Sequence, residues 1–113
     1  DTGPAPFYKE LGKKFGPIDL GFGNLGAYNF YPLVPVKDKS TAHANPEELL
    51  SLMKDLRVKK IVGMHWGTAI LSLEPIWEPP VRFKENAEKF GYKKDKAIIF
   101  KIGEIKKLKD LIN

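Results

Sequence analysis

The sequence contains no cysteine and only two histidines, His43 and His65. The first absence excludes disulfides, thiolate nucleophiles and thiolate-bound metals, and it fits a reducing compartment. Any metal must be held by His, Asp or Glu. The second shortage is also a constraint, because a zinc site takes three or four ligands and two histidines must recruit carboxylates or another polypeptide. No apolar run approaches the roughly 20 residues that span a bilayer, and no charged segment followed by an apolar one marks a signal peptide. The expected location is cytoplasmic, at most peripheral to a membrane.

What is present describes one small folded unit. The chain has 113 residues, of which 42% are hydrophobic, enough to bury a core. Its net charge of +5 comes from lysines spread along the chain, densest at Lys93, Lys94 and Lys96 and at Lys106, Lys107 and Lys109. There is no basic and aromatic interleaving of the RNA-recognition kind and no helix-turn-helix signature, so no nucleic-acid partner is expected. The lysines read as solvated surface with a weak attraction to anionic membrane lipid.

Hydrophobic spacing divides the chain into alternating elements. Phe7, Leu11 and Phe15 fall on one helical face, with Gly16 expected as a left-handed cap and Pro17 as the stop. Ile18, Leu20 and Phe22 alternate as a short buried strand. From Asn29 to Ala44 the prolines, the aromatics Phe30 and Tyr31 and the polar run Lys37 to Thr41 predict a long loop. Asn45, Pro46 and Glu48 then open a helix that places Leu49, Leu52, Met53 and Leu56 on one face. "KKIVGMHWGT" reads as a strand running into a loop. Pro75, Pro79 and Pro80 are expected to hold their segment extended, after which Phe83, Ala87 and Phe90 form a helical stripe ended by Gly91. "AIIFKI" is a last strand, followed by a lysine-rich tail.

This order is an α/β alternation without repeats or linkers. In open α/β sheets functional groups gather beyond the strand ends, where His65 is expected. By itself a histidine there is more often a structural hydrogen-bonding residue than a ligand, and His43, in the loop before a helix, carries less of a signal still. The opening "DTGPAPF" lacks an initiator methionine and reads as the end of a strand entering an active-site loop. A piece cut from something larger is the expectation.

Five segments in order carry a resemblance: "DTGPAPFYKELGKKFGPIDL", "GAY", "HANPEELLSL", "KKIVGMHWGT" and "EPPVRFKENAEKFG". Together they resemble the C-terminal half of the metallo-β-lactamase-fold hydrolases, on the branch of the N-acylphosphatidylethanolamine-hydrolysing phospholipases D. The resemblance implies an α/β fold, half of an αβ/βα sandwich with about three helices on one small sheet. Residues 1–113 would then form a single partial domain, with the N-terminal half and its His-x-His-x-Asp-His loop absent. It implies two zinc ions in the complete site, bridged by Asp1 and bound by His65, with His43 touching a substrate phosphate. The hydroxyl of Thr68 or a backbone carbonyl is expected to orient the His65 imidazole, and Trp66 to pack the loop.

The implied activity is hydrolysis of a phosphodiester in an N-acylphosphatidylethanolamine-like lipid. Too few ligands are present for a complete site, so the chain alone is expected to be inactive and to need the missing half, or a second copy, to cover an apolar sheet face. The alternative is a degenerate or split-gene remnant that self-associates without catalysis.

Overall fold

Asn45, Pro46 and Glu48 start the best-defined helix of the computed structural model, which describes residues 1–36 and 42–113. Asn45 accepts from the Glu48 backbone N–H while Glu48 reaches back to the Asn45 N–H, and Pro46 occupies a first-turn position that needs no donor. Label the helices α1 (Phe7–Phe15), α2 (Pro46–Asp55), α3 (Glu78–Asn86) and α4 (Leu108–Ile112), and the strands β1 (Ile18–Asn24), β2 (Val58–Met64) and β3 (Ala97–Ile99). A 3-10 turn over Ala87–Phe90 continues α3.

The three strands form a parallel sheet in the order β1, β2, β3. Parallel neighbours need crossovers, and α2 and α3 supply them. Leu49, Leu52 and Met53 of α2 are buried with Ile61, Phe83, Ala87 and Ala97 in one core. Gly23 makes that packing close: a Cβ there would meet a Leu49 methyl at 2.4 Å. Tyr92 closes the lower end by donating its buried hydroxyl to the Val58 carbonyl at 2.9 Å.

Several expectations need correction. Gly16 is extended, with φ −75° and ψ 163°, because the residue before a proline is driven out of the helical region; the left-handed cap belongs to Gly91, at φ 88°. Pro79 and Pro80 are not extended but lie in the first turn of α3, where a missing N–H costs no intrahelical bond. β3 ends at Ile99, three residues before the expected end of the strand, and the lysine-rich tail contains α4, with Leu111 buried.

β1 is not a buried strand. Its glycines Gly21 and Gly23 turn toward α2, so the alternating Leu20 and Phe22 face the other side, and Phe22 is 55% exposed. The face of α1 carrying Phe7 and Phe15 is likewise exposed. The long loop is observed over 29–36 and 42–44, while the polar run Lys37 to Thr41 lies outside the described residues.

Candidate metal centre

β1 and β2 run parallel and pair Asn24 with Met64, so both chains leave the sheet at the same edge. Beyond the pairing, Leu25 donates to the Met64 carbonyl at 2.8 Å and Gly26 to the His65 carbonyl at 3.0 Å. Gly26 permits this approach, since a Cβ would lie 2.4 Å from the His65 oxygen. His65 itself adopts φ 62°, a left-handed conformation that costs a non-glycine residue roughly 1–2 kcal/mol. A strained residue at a strand end is retained where its side chain is needed in one direction.

That direction is toward Asp1 and His43. His65 Nε2 lies 2.8 Å from Asp1 Oδ1 and His43 Nε2 3.7 Å from the same oxygen. The two imidazoles stack with centroids 5.2 Å apart. One ligand atom from each of the three residues falls within 4.8 Å of the others. Both imidazoles are mostly buried, whereas the Asp1 side chain is 58% exposed. Sequence analysis singled out all three, and the fold brings them together.

The donor set suits a divalent metal: two imidazoles and a carboxylate are borderline and hard ligands of the kind zinc accepts. His65 Nδ1 is buried and has no hydrogen-bond partner among the described residues. Leaving a buried polar atom unsatisfied is costly to a fold, so this nitrogen stands out while Nε2 of the same ring meets Asp1. Burial, with the neighbouring His65, pushes the His43 pKa below its ordinary 6.5 against an opposing pull from Glu74. His43 is therefore held neutral, the form that ligates metal or accepts a proton.

Thr68 does not fill the role expected for it. It is exposed and makes no hydrogen bond to His65. Trp66 does pack the loop, lying against Trp77 with ring centroids 5.6 Å apart.

Two residues that sequence analysis passed over shape the surroundings. Glu74 accepts from the Ala27 N–H at 2.6 Å and from the Asn29 N–H at 3.0 Å, strapping the Gly26–Asn29 loop beside His65. Burial would raise its pKa, but hydrogen bonds from Ser72 and from backbone N–H groups at Glu74, Asn29 and Ala27 outweigh that and hold it below 4.5. Its four-residue spacing from Glu78, which accepts from Tyr28 Oη at 2.6 Å, was the available signal. Asn24, at the end of β1, is the second. An asparagine closing an apolar strand is itself anomalous, because strands disfavour it. Between Glu74 and His65 a cavity of about 270 Å³ opens, walled mainly by Ala69, Ile70, Leu71 and Ile76.

No protein-family model matches the chain. The mitochondrial N-acyl-phosphatidylethanolamine-hydrolyzing phospholipase D of Saccharomyces cerevisiae is 45% identical over 51 residues, covering 45% of this chain and 11% of that protein. N-acyl-phosphatidylethanolamine-hydrolyzing phospholipase D 1 of Caenorhabditis elegans is 34% identical over 79 residues, 69% of this chain and 21% of the relative. The matched part of the chain thus spans only about a tenth to a fifth of these relatives' lengths. A solved metallo hydrolase of the archaeon Ignicoccus hospitalis superimposes with a TM-score of 0.63 at 24% identity, over 92% of this chain and 36% of that one. The chain has a metallo-β-lactamase-type fold and is similar in sequence to part of the N-acylphosphatidylethanolamine-hydrolysing phospholipases D.

Proposed function

We propose that these residues contribute one side of a zinc-dependent phosphodiesterase site that acts on N-acylphosphatidylethanolamine-like lipid. The observation that carries the reading is the convergence of Asp1, His43 and His65, drawn from three separate segments, to within 4.8 Å. When bound, zinc would supply a Lewis acid for a phosphoryl oxygen and lower the pKa of water.

Each residue has a defined task. The Asp1 carboxylate offers two oxygens and can hold two cations near each other. His65 offers a ring nitrogen from a backbone position fixed by Gly26. His43, kept neutral by burial, either completes the ligand set or donates to a phosphate oxygen of the substrate. The apolar cavity beside His65 fits a substrate with an aliphatic part. In this reading the chain is a partial domain corresponding to the C-terminal half of the fold.

Three ligand residues are too few for two metals, so the remaining ligands come from residues outside these 113, and the chain alone is inactive. Exposed Phe22 and Met64 on one sheet face supply a surface for that missing half or for a second copy. No helix among the described residues is long and apolar enough to cross a membrane. The lysine-rich surface would draw a cytoplasmic protein to anionic lipid from the aqueous side. No nucleic acid is involved.

Native mass spectrometry with added zinc tests the reading. Zinc retained by the chain, lost in His65→Ala, supports it, as does chelator-sensitive phosphodiesterase activity when a complementary N-terminal half is supplied. A zinc-free dimer that stays inactive with that half supports instead a non-catalytic, self-associating remnant.

A further inference from the structure

We propose that Asn24 is a positioning residue that ties the Asp1, His43 and His65 segments into a metal-gripping arrangement; this rests on the metal-site reading above. Asn24 is the last residue of β1 and is only 2% exposed. Both ends of its amide are engaged by one residue: Oδ1 accepts from the Thr2 N–H at 3.0 Å and Nδ2 donates to the Thr2 carbonyl at 3.3 Å. The side chain thus pairs with the Thr2 backbone much as a neighbouring strand would.

Thr2 passes the constraint on. Its carbonyl also accepts from the Ala44 N–H at 2.8 Å, so the residues next to Asp1 and next to His43 share one oxygen. The third segment is held by the Asn24 backbone, which stands opposite Met64, one residue before His65. One buried amide therefore links three segments distant in sequence, each within one residue of a candidate ligand. Because that amide is committed to Thr2, Asn24 acts through the ligands and is not one itself. Its removal would leave the Thr2 N–H without this acceptor and loosen Asp1 relative to both imidazoles.

The test is a cobalt(II) titration of the 113-residue chain, read by calorimetry and by visible absorption, for wild type, Asn24→Ala and Asn24→Asp. Hydrogen exchange at the Ala44 amide, measured without metal, is the second readout. Aspartate keeps the acceptor for the Thr2 N–H and loses the donor to its carbonyl, and it carries the comparison if the alanine variant fails to fold. Asn24→Ala should raise Kd about 10- to 100-fold and shift the cobalt bands, the usual range for an outer partner of a ligand. Asn24→Asp should fall between it and wild type. Ala44 exchange should accelerate in Asn24→Ala, while the Ile61 amide, bonded to the Lys96 carbonyl inside the fold, stays slow.

Cobalt binding by wild type with unchanged Kd and spectrum in both variants overturns the role of Asn24 and leaves the metal reading standing. A wild-type chain that binds no cobalt, either alone or with a complementary N-terminal half supplied, overturns the metal reading and the proposed role with it. Unaltered Ala44 exchange in the variants also overturns the role, since Asn24 then does not hold Thr2 against the His43 segment.

Discussion

Ala27 donates its backbone N–H to Glu74 Oε1 at 2.6 Å while holding a left-handed φ of 64°. A carboxylate from the far side of the loop thus sustains a backbone conformation that alanine rarely adopts. The depressed pKa of Glu74 reflects the Ser72 hydrogen bond first and its backbone contacts, that of Ala27 among them, after it.

Glu74→Gln should therefore destabilise the fold at neutral pH by about 1 kcal/mol, the scale of hydrogen bonds to a partly solvated charge. The pH dependence has a definite sign. A carboxyl whose folded pKa lies below 4.5 contributes stability above that value and loses it as pH falls through the folded pKa. Urea unfolding at neutral and acidic pH should show wild type losing its advantage over Glu74→Gln below 4.5. Equal advantage at both would remove the ionised carboxylate from the explanation.

His65→Gly should do the opposite at its own position. Relief of the left-handed backbone strain is expected to stabilise the chain by about 1 kcal/mol, offset in part by glycine's greater freedom when unfolded. The same change removes a ligand, so zinc binding should be lost. Thermal unfolding and zinc calorimetry on one preparation measure both effects, and a variant that is less stable would show that the lost contacts of the His65 ring with Asp1 and His43 outweigh the backbone strain.

His43 should titrate below 6.5 in the metal-free chain, because burial and its stacked neighbour both penalise the charged form. In His65→Ala the repulsive neighbour is gone, and the midpoint should rise toward 6.5. Imidazole proton shifts followed by NMR give both values. For folding, the sign is that stability is retained above the ordinary histidine pKa and falls as pH drops through the lowered one.

Tyr92→Phe should cost about 1–2 kcal/mol, as the buried Val58 carbonyl loses its hydroxyl donor. Burial also pushes the Tyr92 pKa up to about 12, so its ionisation favours the unfolded chain. Stability should fall as pH rises past the ordinary tyrosine value of 10, less steeply in the phenylalanine variant.

Legibility in the sequence followed the range of the interactions. The Asn45 box was readable because every partner lies within three residues. The alternation of Ile18, Leu20 and Phe22 revealed a strand, but which side α2 covers is decided by Gly21 and Gly23, whose lack of side chains makes room for Leu49 and Met53. Pro79 and Pro80 were misread because a proline pair suits both an extended segment and a helix start, and only the downstream packing of Phe83 selects the helix. Asp1, His43 and His65 were reached through resemblance. Their convergence depends on the β1 to β2 register and on Thr2, neither of which has a local signature. Asn24 and Glu74 escaped notice for the same reason: each acts on backbone groups more than twenty residues away.

The pairing of Trp66 with Trp77 has an optical consequence. These are the only two tryptophans in the chain, and they lie 5.6 Å apart beside His65. All indole emission therefore originates next to the candidate ligands, so fluorescence is a local gauge of that corner of the molecule. A paramagnetic ion bound there would quench nearly the whole signal, while loosening near Tyr92 or α4 would pass almost unseen.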